Sequence, residues 1–271
     1  MCDRIRNQLP SWRILISVNV VLHLLTALPV IAQTAEERGR TIAQEAYRRD
    51  SGFHDMTAQL TMVIHRANGR ERTWEMRTKV LEVPGDGSKT VIMFDSPLDL
   101  RGTALLTVDH RTGSDQWLYL PAFRRVKRIA SASQTESFMG SEFSYEDIRS
   151  QMFENYRYRL VGEEALDGRD AFIVERVPLN AASGYSRQIV WFDTHTYRTL
   201  RVDYYDRSEQ LVKTLTISGY RLYLGRFWRP DTMLMVNHQT DASTMLRWRD
   251  YAFETGLTDR DFDRRSLTSA T

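Results

Sequence analysis

Cysteine is almost absent from the sequence, since Cys2 is the only one in 271 residues. Cys2 lies in a segment that we expect to be removed, so the remaining chain can form no disulfide, thiolate nucleophile or cysteine-ligated metal site. An N-terminal lipid anchor on cysteine is not expected either, because no cysteine follows the first apolar stretch. A domain of this length buries enough apolar surface to fold without a covalent crosslink.

Catalytic and metal-binding motifs are also missing. The sequence contains no glycine-rich phosphate loop, no G-x-S-x-G elbow and no H-E-x-x-H motif. The adjacent carboxylates Glu146-Asp147 and Glu163-Glu164 are explained by helix capping and turn solvation. Beyond residue 32 the histidines do not stand at metal-ligand spacing; they are His54, His65, His110, His195 and His238. The sequence therefore predicts a protein that is not an enzyme and that requires no metal or cofactor.

The first 32 residues have the three parts of a secretory signal. Arg4, Arg6 and Arg13 supply the positive charge, and residues 14–28 form a nearly unbroken apolar stretch. Residues 30–32, Val-Ile-Ala, place small or medium-sized side chains where a signal peptidase requires them. An uncleaved anchor is the alternative, but the stretch is shorter than the roughly 20 residues that span a bilayer comfortably. We therefore expect cleavage before Gln33 and a single periplasmic domain over residues 33–271.

Excess charge of one sign is absent once this segment is set aside. Removing Arg4, Arg6, Arg13 and Asp3 from the 37 basic and 35 acidic residues leaves 34 of each. Nucleic-acid binding requires a clear cationic excess to neutralise phosphates. The balance argues against a nucleic-acid partner.

The remaining sequence indicates one helix followed by many short strands. Thr34 and Glu37 form a capping-box pattern before a helix over residues 35–49. Asn68-Gly69 is a strong hairpin signal. Alternating residues then predict strands over 59–66, 73–82, 89–95, 102–108, 116–121, 125–129, 156–165, 169–176, 187–193, 199–205, 211–220, 227–237 and 244–253. No helical crossovers separate them, which favours an antiparallel sheet or barrel.

One polar segment interrupts the strands. Residues 131–142 are rich in small side chains, and residues 144–147 offer a second capping box that predicts a short helix to about residue 153.

Several strands are apolar at consecutive positions, as in residues 91–94 and 189–192. Because strand residues alternate between faces, such strands place apolar groups on both sides of the sheet. Two explanations remain open. Helices could cover the second face, or the sheet could curve around an apolar cavity suited to acyl chains.

Residues 115–147 carry the most distinctive pattern. A Trp117-Leu118-Tyr119-x-Pro121 strand is followed by a basic strand over residues 124–129. The segment Ser137-Phe-Met-Gly-Ser-Glu-Phe-Ser-Tyr-Glu-Asp147 comes next. This succession resembles the family of outer-membrane lipoprotein-sorting proteins, relatives of the LolA and LolB carriers. Glu142 stands where aspartate is more usual in that family, and the resemblance covers essentially the whole chain after residue 32.

The resemblance implies a mainly β fold: a curved antiparallel sheet forming a half-open barrel, with a few short helices closing its concave side. It implies a periplasmic carrier of the acyl chains of lipoproteins or other lipids, moving them toward the outer membrane, and we expect this carrier to be a monomer. A non-carrier accessory subunit of an inner-membrane exporter of the resistance–nodulation–division (RND) type is the alternative. Candidate cavity residues are Trp74, Met76, Met93, Trp117, Phe138, Met139, Phe143, Trp191, Met233 and Met235.

Two local features have more than one interpretation. Arg124, Arg125, Lys127 and Arg128 could meet anionic headgroups or an acidic partner. They could instead keep an exposed sheet edge soluble, and we favour this second interpretation. The loop over residues 137–141 could be a buried plug or a movable lid, with Gly140 allowing positive φ or a close backbone approach.

Overall fold

The computed structural model describes residues 33–264 and residue 267. The predicted signal segment, residues 1–32, lies outside the described residues. The helix α1 (Ala35–Asp50) begins as predicted, with Thr34 as its N-cap. The Thr34 side chain accepts from the Glu37 amide at 3.1 Å, and the Glu37 carboxylate accepts from the Thr34 amide at 2.9 Å. Ile42 and Ala43 bury one face of α1.

Fifteen strands follow α1 in the described chain. They are β1 (Asp55–His65), β2 (Glu71–Val83), β3 (Gly87–Ser96), β4 (Ala104–His110), β5 (Gly113–Leu120), β6 (Arg125–Ile129), β7 (Tyr156–Leu166), β8 (Arg169–Pro178), β9 (Tyr185–Asp193), β10 (Thr199–Asp206), β11 (Leu211–Ser218), β12 (Arg221–Tyr223), β13 (Phe227–Arg229), β14 (Thr232–Asn237) and β15 (Ser243–Phe253). Short 3₁₀ turns lie at Pro121–Phe123, Ser131–Ser133, Phe153–Asn155 and Asp259–Phe262.

Thirteen strands form one antiparallel sheet in the order β6-β5-β4-β3-β2-β1-β15-β14-β11-β10-β9-β8-β7, and β12 pairs with β13 separately. The pairing of β1 with β15 joins the two halves of the chain, with Met62 opposite Leu246. The sheet curves into an open half-barrel whose two edges are β6 and β7. The mainly β, half-open fold expected from the resemblance is confirmed.

Apolar clusters lie on both faces of the sheet. The largest fills the concave face and includes Ile42 of α1 together with residues from most strands. A second lies on the convex face of β3–β5, where Met93 packs with Phe262 and Leu267 of the C-terminal segment. Neither of the two explanations for consecutive apolar residues holds alone. The second face of β3–β5 is covered, as the first explanation requires, but the cover is a C-terminal segment with one 3₁₀ turn.

The structure corrects two predicted elements. The helix predicted over residues 144–153 is wrong, because these residues form turns and only Phe153–Asn155 is helical, as a 3₁₀ turn. The strand predicted over residues 227–237 is two strands, β13 and β14, separated at Pro230. Proline has no amide hydrogen for the sheet ladder, which accounts for the break. Among residues 33–264 and 267, no helix has the length and apolarity needed to cross a membrane.

Candidate functional site

The candidate site is the concave face of the sheet, and strand alternation builds it. Every second residue of β1 points into it, giving Leu60, Met62 and Ile64, each at most 2% exposed. On β2 the partners of Met62 and Leu60 are Trp74 and Met76, which are also buried. A sheet of this kind presents a continuous apolar surface to whatever covers it.

The cover is the connection between β6 and β7, residues 130–155, which we call the plug segment. Its Phe138 has no exposed surface, and Phe143 and Tyr145 are buried beside it. The Phe138 ring lies 6.0 Å from the ring of Phe94 on β3 and 5.6 Å, edge-on, from that of Tyr145. Of the two interpretations of residues 137–141, the described structure has Phe138 as a buried plug. The concave face is filled by this segment.

Three carboxylates of the plug segment tie it to the sheet and its loops. The Glu142 carboxylate accepts from the Asn237 side chain at 2.7 Å. Glu146 accepts from the Ser183 hydroxyl and from the Gly184 amide at 3.0 Å. Both carboxylates are less than 10% exposed. These donors hold the plug segment in place, because losing one of them would leave a buried carboxylate with an unsatisfied oxygen.

Asp147 is the third of these carboxylates. It accepts from the Tyr185 hydroxyl at 2.9 Å and lies 3.4 Å from the Lys213 ammonium group. Burial, together with the neighbouring Asp147 charge, raises the pKa of Tyr185 well above its ordinary value, so Tyr185 remains a hydrogen-bond donor. Asp147 also accepts from the Ser144 amide at 2.8 Å, so the capping-box contacts form without a helix. The capping contacts expected of Asp147 are therefore present in a turn rather than a helix, whereas Glu146 is buried instead of solvated.

Gly140 lies at the tip of the plug segment. Its φ of +79° confirms the predicted positive φ, and a Cβ there would lie 3.2 Å from the Arg66 guanidinium. Arg66 donates to the Gly140 carbonyl at 2.6 Å and lies 3.8 Å from Glu142. The tip is thus held at the end of β1.

The other end of the plug segment lies against β3 and β4. The Ser150 amide donates to the Asp109 carboxylate at 3.1 Å, and the Ser150 and Ser88 hydroxyl groups are 2.8 Å apart. Burial raises the pKa of Asp109 to about 6, and the hydrogen bonds from Ser150 only partly oppose this.

The ten candidate cavity residues do not share one face. Those in the concave cluster are Trp74, Met76, Phe138, Met139, Phe143, Met233 and Met235. Met93 and Trp117 lie on the convex face under the C-terminal segment, and Trp191 lies in a separate convex cluster with Ala171, Ile189 and Leu200. The placement of these last three in the same cavity is therefore wrong, because strand alternation turns them outward.

The basic residues Arg124, Arg125, Lys127 and Arg128 are exposed and lie in or next to β6. Because β6 is an edge of the sheet, this geometry agrees with the edge interpretation that we favour.

Two open clefts flank the plug segment. One, of about 650 Å³, is lined by Arg66, Arg70, Arg72 and Glu142, among others. The other, of about 200 Å³, lies between Glu146, Tyr185 and Lys213.

The sequence alone did not predict the cations that line these clefts, Arg66, Arg70, Arg72 and Lys213, nor the buried Asp109. The available signal was alternation, since Arg72, Trp74 and Met76 occupy every second position of β2. In the part of the chain that the structure describes, no three His, Cys, Asp or Glu side chains group as metal ligands do.

The concave sheet and its plug define a LolA-like half-barrel, and comparisons with known proteins give its family. A family model described as "Uncharacterized protein" matches residues 86–269. A crystal structure of an outer membrane lipoprotein-sorting protein domain from Vibrio parahaemolyticus is 46% identical, with a TM-score of 0.84. That alignment covers 86% of this chain and 99% of that chain.

A DUF1329 family protein from Desulfovibrio piger is 33% identical, with a TM-score of 0.82 over 87% of this chain and 100% of that one. A LolA superfamily protein from Nitrosomonas europaea, 20% identical with a TM-score of 0.68, shows the same fold over 87% of this chain and 100% of that one. No curated protein matches the sequence. The chain belongs to the DUF1329 family of outer-membrane lipoprotein-sorting proteins, and its fold is that of the LolA superfamily.

Proposed function

We propose that this protein is a periplasmic carrier, which binds the acyl chains of lipoproteins or other lipids on its concave face and transfers them toward the outer membrane. One observation carries the proposal: the apolar concave face is covered by the plug segment, whose regular elements are two short 3₁₀ turns, rather than by paired strands. The lipoprotein-sorting family supports it, and the predicted signal over residues 1–32 supports the compartment.

Loading requires the plug segment to move, because its own aromatic side chains occupy the concave face. The plug segment is suited to this role. Apart from one bridge between Ser137 and Ser144, it makes no strand pairing that the described residues show. It contacts the sheet through aromatic side chains and through individual hydrogen bonds, such as those of its carboxylates and the one from Arg66 to the Gly140 carbonyl. An acyl chain that replaces Phe138 and Phe143 keeps about 25 cal/mol of stabilisation for each Å² of apolar surface that remains covered. Chemical conversion of the cargo is not part of the proposal.

A second function, an accessory subunit of an RND-type exporter that carries no cargo, is favoured by the filled concave face. Mass spectrometry of lipid extracted from the purified protein separates the two. Co-purifying lipid at about one molecule per protein is expected for the carrier. A lipid-free protein that binds the exporter tightly would contradict it.

A reversible lock tests whether the plug segment must move. A Cβ on Gly184 would lie 3.5 Å from the Cβ of Thr135 in the plug segment, within the range that a disulfide spans. We expect oxidised Thr135→Cys/Gly184→Cys protein to take up no fluorescent fatty acid, and the reduced protein to take it up like the unmodified chain. Each single-cysteine variant is the control. Equal uptake by the oxidised and reduced forms would show that loading does not need this movement.

A further inference from the structure

The concave face changes from apolar to cationic at one end of β1 and β2. On β1 the buried series Leu60, Met62 and Ile64 is followed at the next alternate position by Arg66. On β2, Arg72 pairs with Ile64. Arg72 lies two residues before Trp74, on the same side of the strand, so apolar surface and cations adjoin on one face.

Arg66, Arg70 and Arg72 line the open cleft of about 650 Å³ at this end. Within residues 33–264 and 267, the guanidinium groups of Arg70 and Arg72 make no hydrogen bond or ion pair, and both side chains are exposed. Neither of the two acids in the wall pairs with Arg70 or Arg72, although Glu142 lies 3.8 Å from Arg66. Glu71 lies 3.2 Å from His65, and Glu142 accepts from Asn237. The cleft therefore offers unused donors for an anion.

The plug segment shows which chemistry the concave face accepts. Its aromatic rings occupy the apolar surface, while the carboxylates of Glu142, Glu146 and Asp147 meet polar and cationic groups at the rim. Glu142 itself lies beside Arg66 in the cleft. With the plug segment in place, the concave face thus already binds apolar groups that carry an anionic end.

We propose that the cargo is an amphiphile with an anionic headgroup, phosphate or carboxylate, and that Arg66, Arg70 and Arg72 form the headgroup subsite. This inference rests on the proposed carrier function and specifies its substrate class. Guanidinium groups present paired donors that match phosphate and carboxylate oxygens, and such charge-assisted hydrogen bonds are about twice as strong as neutral ones. The tail of the ligand would extend from the cleft along the surface that Phe138 now covers.

Titration calorimetry below the critical micelle concentration tests this with two probes that share a dodecyl tail, dodecyl phosphate and the neutral octaethylene glycol monododecyl ether. We expect dodecyl phosphate to bind at least about tenfold more tightly, with an advantage that shrinks as salt is added. In Arg70→Gln/Arg72→Gln protein, the two affinities should become similar while that for the neutral probe is unchanged. Arg247→Gln/Arg249→Gln, which removes two exposed cations from β15, is the matched control and should preserve the difference.

The outcomes separate the two proposals. Equal binding of both probes to the unmodified protein would overturn the headgroup subsite and leave the carrier function standing. No binding of either probe would overturn both. A third titration uses inorganic phosphate, which has the anionic group but no tail. If it binds as tightly as dodecyl phosphate, the cleft is a site for free anions and the inference is wrong. Weak or undetectable phosphate binding beside tight dodecyl phosphate binding supports it.

Discussion

At the scale of single residues, Asp109 is a carboxyl group whose acidity is weakened by the fold. Its carboxyl is 2% exposed and accepts from the Ser150 amide at the base of the plug segment. Burial raises its pKa from 3.8 to about 6. Because the folded protein holds this proton more tightly than the unfolded chain, the contribution of Asp109 to stability falls as the pH rises from about 4 to above 6.

Asp109→Asn removes this titration while its amide oxygen can still accept from Ser150. We expect the variant to gain stability relative to the unmodified protein as the pH rises from 4 to 7, by at most about 3 kcal/mol. Urea unfolding of both proteins at several pH values measures the difference. Parallel stability curves for the two proteins would show that Asp109 titrates normally.

Gly39 is the residue that allows helix α1 to pack closely on strand β7. A Cβ at this position of α1 would lie 2.5 Å from the backbone of Arg159 and Leu160 in β7. Alanine favours helix by about 1 kcal/mol over glycine, yet here it must push α1 off the strand. We therefore expect Gly39→Ala to lower the free energy of unfolding by about 1–3 kcal/mol. Gln44→Ala, at an exposed position of the same helix, is the control in denaturant melts and should be neutral or slightly stabilising.

At the scale of elements, the sheet and the plug segment should differ in stability although their side chains interlock. Phe94 on β3 and Phe138 in the plug segment are both fully buried and lie 6.0 Å apart. Phe94→Ala leaves a cavity against paired strands and should reduce global stability by about 3–5 kcal/mol. Phe138→Ala should instead act locally, because residues 130–155 are not part of the strand ladder.

Hydrogen exchange distinguishes the two variants. Phe138→Ala should speed amide exchange in residues 130–155 and leave β1–β3 protected, whereas Phe94→Ala should speed exchange throughout. If Phe138→Ala lowered protection in β1–β3 as much as Phe94→Ala does, the plug segment would be an ordinary part of the core.

The elements were predictable to different degrees. Strand positions followed from alternation and turn residues, because both act over a few neighbours; α1 followed from the Thr34 capping box for the same reason. The false helix after Ser144 arose because that local pattern also suits a turn. The concave face was not predictable from local sequence, since alternation separates Phe94 from Met93 without telling which side is concave. That depends on the pairing of β1 with β15 and on Phe262 and Leu267 reaching β3–β5.

At the scale of the whole molecule, an open half-barrel has two sheet edges that a closed barrel would lack. The β7 edge is partly covered, because Gly39 of α1 packs on the backbone of Arg159 and Leu160. The β6 edge pairs only with β5 and carries the exposed cations of residues 124–128. Exposed strands of this kind are templates for pairing with another chain, and charge on the edge opposes this.

We therefore expect removal of charge from β6 to cause self-association without loss of fold. Arg125→Ser/Lys127→Ser protein should form dimers or larger species at concentrations where the unmodified protein is monomeric, as measured by analytical ultracentrifugation. Arg247→Ser/Arg249→Ser, which removes two cations from the interior strand β15, is the control and should stay monomeric. Low salt should suppress association of the unmodified chain further, because repulsion between cationic edges is less screened. A β6 variant that remained monomeric at every concentration would show that strand geometry or the exposed Phe123 turn, rather than charge, protects this edge.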